Sequence, residues 1–106
     1  MTQQAETIQR FDLSVEGRNL IVYVSDIAVR ITERSSPIER DLVIVQGGGA
    51  LGTDAQVSFI GTSDSDANLR SAAAARSAAR TVLTVSGLTP KQTRFLRLAE
   101  TMPNPS

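Results

Sequence analysis

The sequence predicts an α+β fold, with an antiparallel β-meander of four to five strands over residues 7 to 61 followed by an αα-hairpin over residues 64 to 102 that covers the sheet. Three observations carry this expectation. Apolar and polar residues alternate through the first half of the chain with the period of two that marks half-buried strands. From Ser63 onward the apolar spacing becomes helical, and each helical stretch opens on residues that cap helices. The charge also changes sign at that boundary. Up to Asp66 ten carboxylates stand against five arginines, whereas beyond Ala67 the cations Arg70, Arg76, Arg80, Lys91, Arg94 and Arg97 face Glu100 alone.

The first strand is read from Phe11, Leu13 and Val15 alternating with Arg10, Asp12, Ser14 and Glu16. Gly17-Arg18-Asn19 supplies turn chemistry, and Leu20 to Val24 returns as a strand that is apolar on both faces and so belongs to the interior of a sheet. Odd positions from Ile21 through Tyr23, Ser25, Ile27, Val29 and Ile31 continue the pattern, while the even face turns polar at Asp26 and Arg30. A bend or bulge at Ser25-Asp26 accounts for that change better than one strand of some fifteen residues. Glu33 to Glu39, with Ser35-Ser36-Pro37, reads as a polar connection. Leu42 to Val45 and the alternating Ala55, Val57 and Phe59 complete the meander.

Gly47-Gly48-Gly49-Ala50-Leu51-Gly52 follows an apolar strand with the spacing G-x-G-x-x-G. A dinucleotide-binding turn needs a helix at the last glycines, so that its amide groups meet the pyrophosphate. Thr53-Asp54 and an alternating strand follow instead, so the run reads as a mobile hairpin loop and no cofactor is expected.

Ser63-Asp64-Ser65-Asp66 offers several N-caps and puts carboxylates at the positive end of a helix dipole. Its D-x-D spacing is explained by capping without a metal. The helix is expected to run through Ala72 to Ala79 and on to Val85, with Gly87 as the left-handed C′ residue and Leu83 meeting Leu88. The rival reading stops it near Arg80 and makes Thr81 to Val85 a strand, because these residues are rich in β-branching. Ala72, Ala75, Ala78, Ala79, Val82 and Leu83 share one arc, a face of small side chains suited to close packing as core or interface. Thr89-Pro90-Lys91-Gln92 has the form of an N-cap, a proline at N1 and a capping box. Phe95, Leu98, Ala99 and Met102 then share a face, and Arg94, Arg97 and Thr101 point outward.

At 106 residues and 41% hydrophobic content the chain suits a single domain spanning 1–106. The absence of cysteine removes disulfides, thiolate nucleophiles and cysteine-bound metals, and the absence of histidine removes the commonest general base and transition-metal ligand. No enzyme, cofactor or metal is therefore expected. The polar opening Met1-Thr2-Gln3-Gln4 is unlike a signal peptide, and no apolar run approaches the ~20 residues that span a bilayer. The expected location is the cytoplasm or an assembled particle, away from membranes.

The function expected from this reading is structural. The chain would self-associate into at least a dimer, in the manner of a phage or virion component, with opposite charges and an alanine-faced helix as its means. Candidate subunit or nucleic-acid contacts are Arg70, Arg76, Arg80, Lys91, Arg94 and Arg97, and candidate helix-packing residues are Ala72, Ala75, Ala79 and Leu83. The alternative is a small module that binds RNA or DNA through the basic helices.

Short resemblances accompany this reading. Leu88-Thr89-Pro90-Lys91-Gln92 with Leu96-Arg97-Leu98-Ala99-Glu100 resembles the first helix of the DNA-binding domain in quorum-sensing-type regulators, which implies DNA contact. Val85-Ser86-Gly87-Leu88-Thr89-Pro90 with Thr93 and Phe95 is similar to the corner between strands E and F of fibronectin type III modules, which implies a strand there. The order of elements resembles that of single-stranded-RNA phage coat proteins, in which two helices follow an antiparallel sheet and pack across a dimer.

Overall fold

The computed structural model describes residues 8–48 and 54–105. Five strands, β1 (Gln9–Val15), β2 (Arg18–Val24), β3 (Ala28–Ser35), β4 (Ile38–Gly47) and β5 (Ala55–Phe59), form one sheet in sequential order. Every neighbouring pair is antiparallel. Two helices follow, α1 (Ser65–Val82) and α2 (Pro90–Glu100), so the expected α+β meander with a C-terminal helix pair is the observed architecture.

Registration of the strands sorts the residues into two faces. Phe11, Val22, Ile31, Val43 and Phe59 form one row, and Val24, Val29, Val45 and Val57 form the next. These rows lie under the helices and join Ala72, Ala75, Ala78, Ala79, Phe95, Leu96 and Ala99 in a single apolar core. The opposite face carries the row Arg10, Tyr23, Arg30, Ile44 and Ser58 and, beside it, Asp12, Ile21, Thr32 and Asp41. Helix α1 crosses β1, β2 and β4, and α2 lies over β3, β4 and β5. With few aromatics available, the small alanine side chains let α1 settle close to both the sheet and α2.

Several local expectations are corrected. The β1–β2 turn is Glu16-Gly17, one residue earlier than the Gly17-Arg18-Asn19 reading, because Val15 pairs with Arg18. Both turn residues have positive φ, 50° and 78°, the hand that a two-residue hairpin requires and that glycine adopts without strain. Ser25-Asp26-Ile27 is a full reversal of the chain rather than a bend. The Ser25 hydroxyl accepts from the amides of Ile27 and Ala28 at 3.3 Å, and the Ser25 amide donates to the Ala28 carbonyl at 3.0 Å. Since Val24 pairs with Val29, the reversal switches parity: Tyr23 faces outward while Val29 and Ile31 face the core. The stretch from Glu33 to Glu39 is paired ladder rather than loose connection, with Glu33 opposite Arg40, Arg34 opposite Glu39 and a cis Ser36–Pro37 peptide in the turn. A register shift beside Ile31 and Thr32 admits Leu42, which is buried.

Asp64 caps α1 by accepting from the Ala67 amide at 3.1 Å, and α2 opens with the capping box of Thr89 and Gln92 and proline in its first turn. The loop before α1 is fastened by Asn68, whose side chain accepts from the Thr62 amide and donates to the Thr62 carbonyl, both at 2.8 Å. A Cβ on Gly61 would stand 2.8 Å from that side chain, which explains a glycine there. Helix α1 ends at Val82 with Leu83 as its C-cap, so residues 83 to 85 are neither helix nor strand and Gly87 lies too far along to be C′. The strand implied by the fibronectin-like corner is replaced by α2. The glycine run is described only at Gly47 and Gly48, and positions 49–53 lie outside the described residues. It connects two antiparallel strands, with Gly47 paired to Ala55. Among the described residues no helix is long and apolar enough to cross a membrane.

Candidate interaction surfaces

The six helical cations do not form one patch. Arg76 is half-buried and donates to the Met102 carbonyl at 3.3 Å, so it holds the end of α2 and is spent on the fold. Arg80 and Arg97 converge on Glu100, at 3.3 and 3.4 Å. This bridge ties α1 to α2, with both arginines 65% exposed and the glutamate 16% exposed. Lys91 sits over the Phe95 ring with its ammonium 5.6 Å from the centroid, a cation–π contact that leaves its charge unneutralised. Arg94 has no ion-pair partner among the described residues, and with Arg97, Leu88, Pro90 and Thr93 it lines a groove of about 550 Å³ on α2. Arg70 stands apart, near the start of α1, in a cleft against the sheet.

The charge asymmetry in sequence therefore does not close on itself in space. Glu100 is the one carboxylate that pairs with helical cations among the described residues. The outer sheet face is nearly balanced: Arg10, Arg30 and Arg34 share it with Asp12, Glu39 and Asp41. Tyr23 lies at its centre, with Arg10 and Arg30 guanidiniums 5.9 and 5.0 Å from the ring centroid and its hydroxyl donating to Glu39 at 3.2 Å. Among the described residues, the helical segment reaches a carboxylate of the strand segment through Thr89, whose hydroxyl donates to Asp26 at 3.2 Å. Within the chain, then, the basic helix pair is not neutralised by the acidic residues of the sheet it covers.

Ala72, Ala75 and Ala79 are fully buried, and Leu83 is packed against the same core. Ser71 and Ala74 are buried as well, which widens the predicted arc, because α1 touches both the sheet and α2. These candidates are used within the chain.

One ionic arrangement was not legible from spacing. Arg18 forks onto Glu33 with bonds of 2.7 and 2.6 Å and gives a further bond of 2.9 Å to the Ser71 hydroxyl, joining β2, β3 and α1. The two side chains are 24% and 19% exposed. Hydrogen bonding to Arg18 holds the Glu33 carboxyl below its ordinary pKa, against the opposing effect of burial, and the same bond raises Arg18. The partners are 15 and 53 positions apart, so only strand register and the crossing of α1 bring them together.

The two edges of the sheet differ. Strand β1 carries the charged pair Arg10 and Asp12, bonded at 3.0 Å. Strand β5, Ala-Gln-Val-Ser-Phe, carries no charge and leads into Ile60, which is 38% exposed. Among the described residues there is no group of three or more acidic side chains placed to hold a metal. No protein-family model matches the chain, and searches of curated proteins and of solved structures return no match, so the likeness to phage coat proteins rests on element order alone.

Proposed function

We propose that the protein is a non-enzymatic structural protein that self-associates into a homo-oligomer, as a component of a larger particle such as a phage or virion. The observation that carries this reading is the β5 edge. An edge strand presents unpaired amides and carbonyls, and proteins that remain monomeric shield such edges with charge, proline or a covering segment. Strand β1 is shielded by Arg10 and Asp12, whereas β5 has no charged residue or proline. Antiparallel pairing of β5 with β5 of a second copy, across a two-fold axis, would satisfy these groups and extend the sheet to ten strands.

The ionisable groups favour a structural role over catalysis. The perturbed ones, Arg10, Arg18 and Glu33, are each shifted first by a hydrogen bond within an ion pair, so none is poised by burial for proton transfer. The cytoplasm, or the particle itself, is the location that fits this function.

A second reading is supported by Lys91 and Arg94, exposed or half-exposed cations of α2 with no carboxylate in ion-pair range among the described residues. Together with Arg97 they would meet the phosphates of RNA or DNA. Light scattering with ultraviolet absorbance, repeated across salt concentrations, separates the two. Self-association predicts a protein-only species of at least twice 11.3 kDa that persists in high salt. A monomer that takes up RNA or DNA only at low salt would overturn self-association in favour of the second reading.

A further inference from the structure

We propose that the cleft between α1 and the Arg18 end of the sheet binds a phosphate group, gripped by Arg40 and Arg70. The helix-facing side of the sheet is mostly apolar, and its charged residues gather at this end, where the register places Glu33 opposite Arg40 and puts Arg18 one step beyond Leu20. Helix α1 crosses here with Arg70 and Ser71, and a cleft of about 370 Å³ is left between the layers.

The donors in this cleft are unequally used. Arg18 is occupied by Glu33 and by Ser71, and that bidentate pair forms a neutral, fixed wall. Arg40 and Arg70 also line the cleft, yet among the described residues neither has a carboxylate within ion-pair distance or a side-chain hydrogen bond. Asp66, one turn before Arg70, does not pair with it. The Ser71 hydroxyl accepts from Arg18 and, among the described residues, donates to no acceptor, although the residue is only 3% exposed. Two carboxylates also line the cleft: Glu33, which is bonded to Arg18 and feels the charge of Arg40 opposite it, and Glu16.

Two guanidiniums outside any salt bridge among the described residues and an unspent hydroxyl proton suit a tetrahedral oxyanion, whose several oxygens can accept from all three, better than a carboxylate with two. A phosphate ion or the phosphate group of an ester can be accommodated in a cleft of this volume. A free monoester and the diester of a nucleic-acid backbone share that chemistry.

The site is independent of self-association, and the test keeps the two apart. Inorganic phosphate, phenyl phosphate and a single-stranded oligothymidylate would each be titrated against the full chain at constant ionic strength, with chloride as the exchanged anion. Binding would be read by calorimetry and by the thermal midpoint. Saturable binding of inorganic phosphate is expected, weakened at least tenfold in Arg40→Gln and in Arg70→Gln and unchanged in Arg34→Gln on the outer face. Tighter binding of phenyl phosphate points to a free monoester, and tighter binding of the oligonucleotide with the same arginine dependence points to a backbone phosphate. Absence of saturable binding by all three, or binding that survives the double variant Arg40→Gln/Arg70→Gln, would overturn the proposal. Repeating the titration on a chain whose β5 edge has been blocked by Gln56→Lys and Ser58→Lys separates loss of the cleft from loss of the oligomer.

Discussion

The two sides of the sheet are completed by different means. The β1 side is held by ionic bonds: Arg18 clamps β2 to β3 and reaches Ser71 of α1, and the edge strand itself is screened by Arg10 and Asp12. The β5 side lies under α2, whose Phe95 and Leu96 are fully buried in the shared core, and its edge is neutral. The contrast teaches that the same meander can finish one edge with charge and leave the other neutral, the difference on which the proposed self-association rests. Each side can be broken separately.

The largest effect is expected from Phe95→Ala. The ring is fully buried, and large-to-small changes of this type cost about 3–5 kcal/mol through lost burial and the cavity left behind. Denaturant unfolding would measure it, and a loss below about 1 kcal/mol would show that α2 is not what secures the β5 side. Next comes the edge itself. Gln56→Lys with Ser58→Lys sets like charges across a β5–β5 pairing and should raise the dissociation constant about a hundredfold, or ~2.7 kcal/mol, while leaving monomer stability little changed. An unaltered mass by light scattering would assign the contact to another surface.

On the β1 side, Arg18→Gln should cost about 2 kcal/mol. That lies below the range for fully buried pairs, because both partners keep some exposure and Arg40 stands opposite Glu33. The acid limb of stability should report the same clamp. Glu33 is depressed from its ordinary value of 4.5, so its contribution is complete above that value and lost as pH falls through the lower folded value. Glu33→Gln should flatten this part of the acid limb, and an unchanged slope would mean that the Arg18 bond does not persist in solution. Smallest of all should be Arg97→Gln, since Glu100 keeps Arg80 and exposed pairs contribute about 0–1 kcal/mol.

What could be read from the residues follows the range of the interactions. Alternation at Phe11, Leu13 and Val15, the capping box of Thr89 and Gln92, and the alanine arc of α1 are local patterns, and each fell where its pattern put it. The reversal at Ser25 was missed because it uses a serine hydroxyl in place of glycine or proline, and it inverts which residues face the core. The end of α1 at Val82 was missed because Leu83 to Val85 continue an apolar pattern while their amides turn back to carbonyls only three residues earlier at Thr84 and Val85. The Arg18, Glu33 and Ser71 cluster, and the cleft it walls, depend on register and on where α1 crosses the sheet. Charge summed along the chain carries no such information. It marked the boundary between strands and helices, but it did not show that the acidic and basic residues leave each other largely unpaired.

Hydrogen exchange of the two edge strands, compared in one sample of the concentrated protein, tests the central claim most directly. If copies associate through β5, amides of Ala55–Phe59 will exchange as slowly as those of interior β3, those of β1 that face away from β2 will exchange fast, and dilution or Gln56→Lys/Ser58→Lys will release β5 alone. Fast exchange along the free side of both edges at every concentration would contradict it.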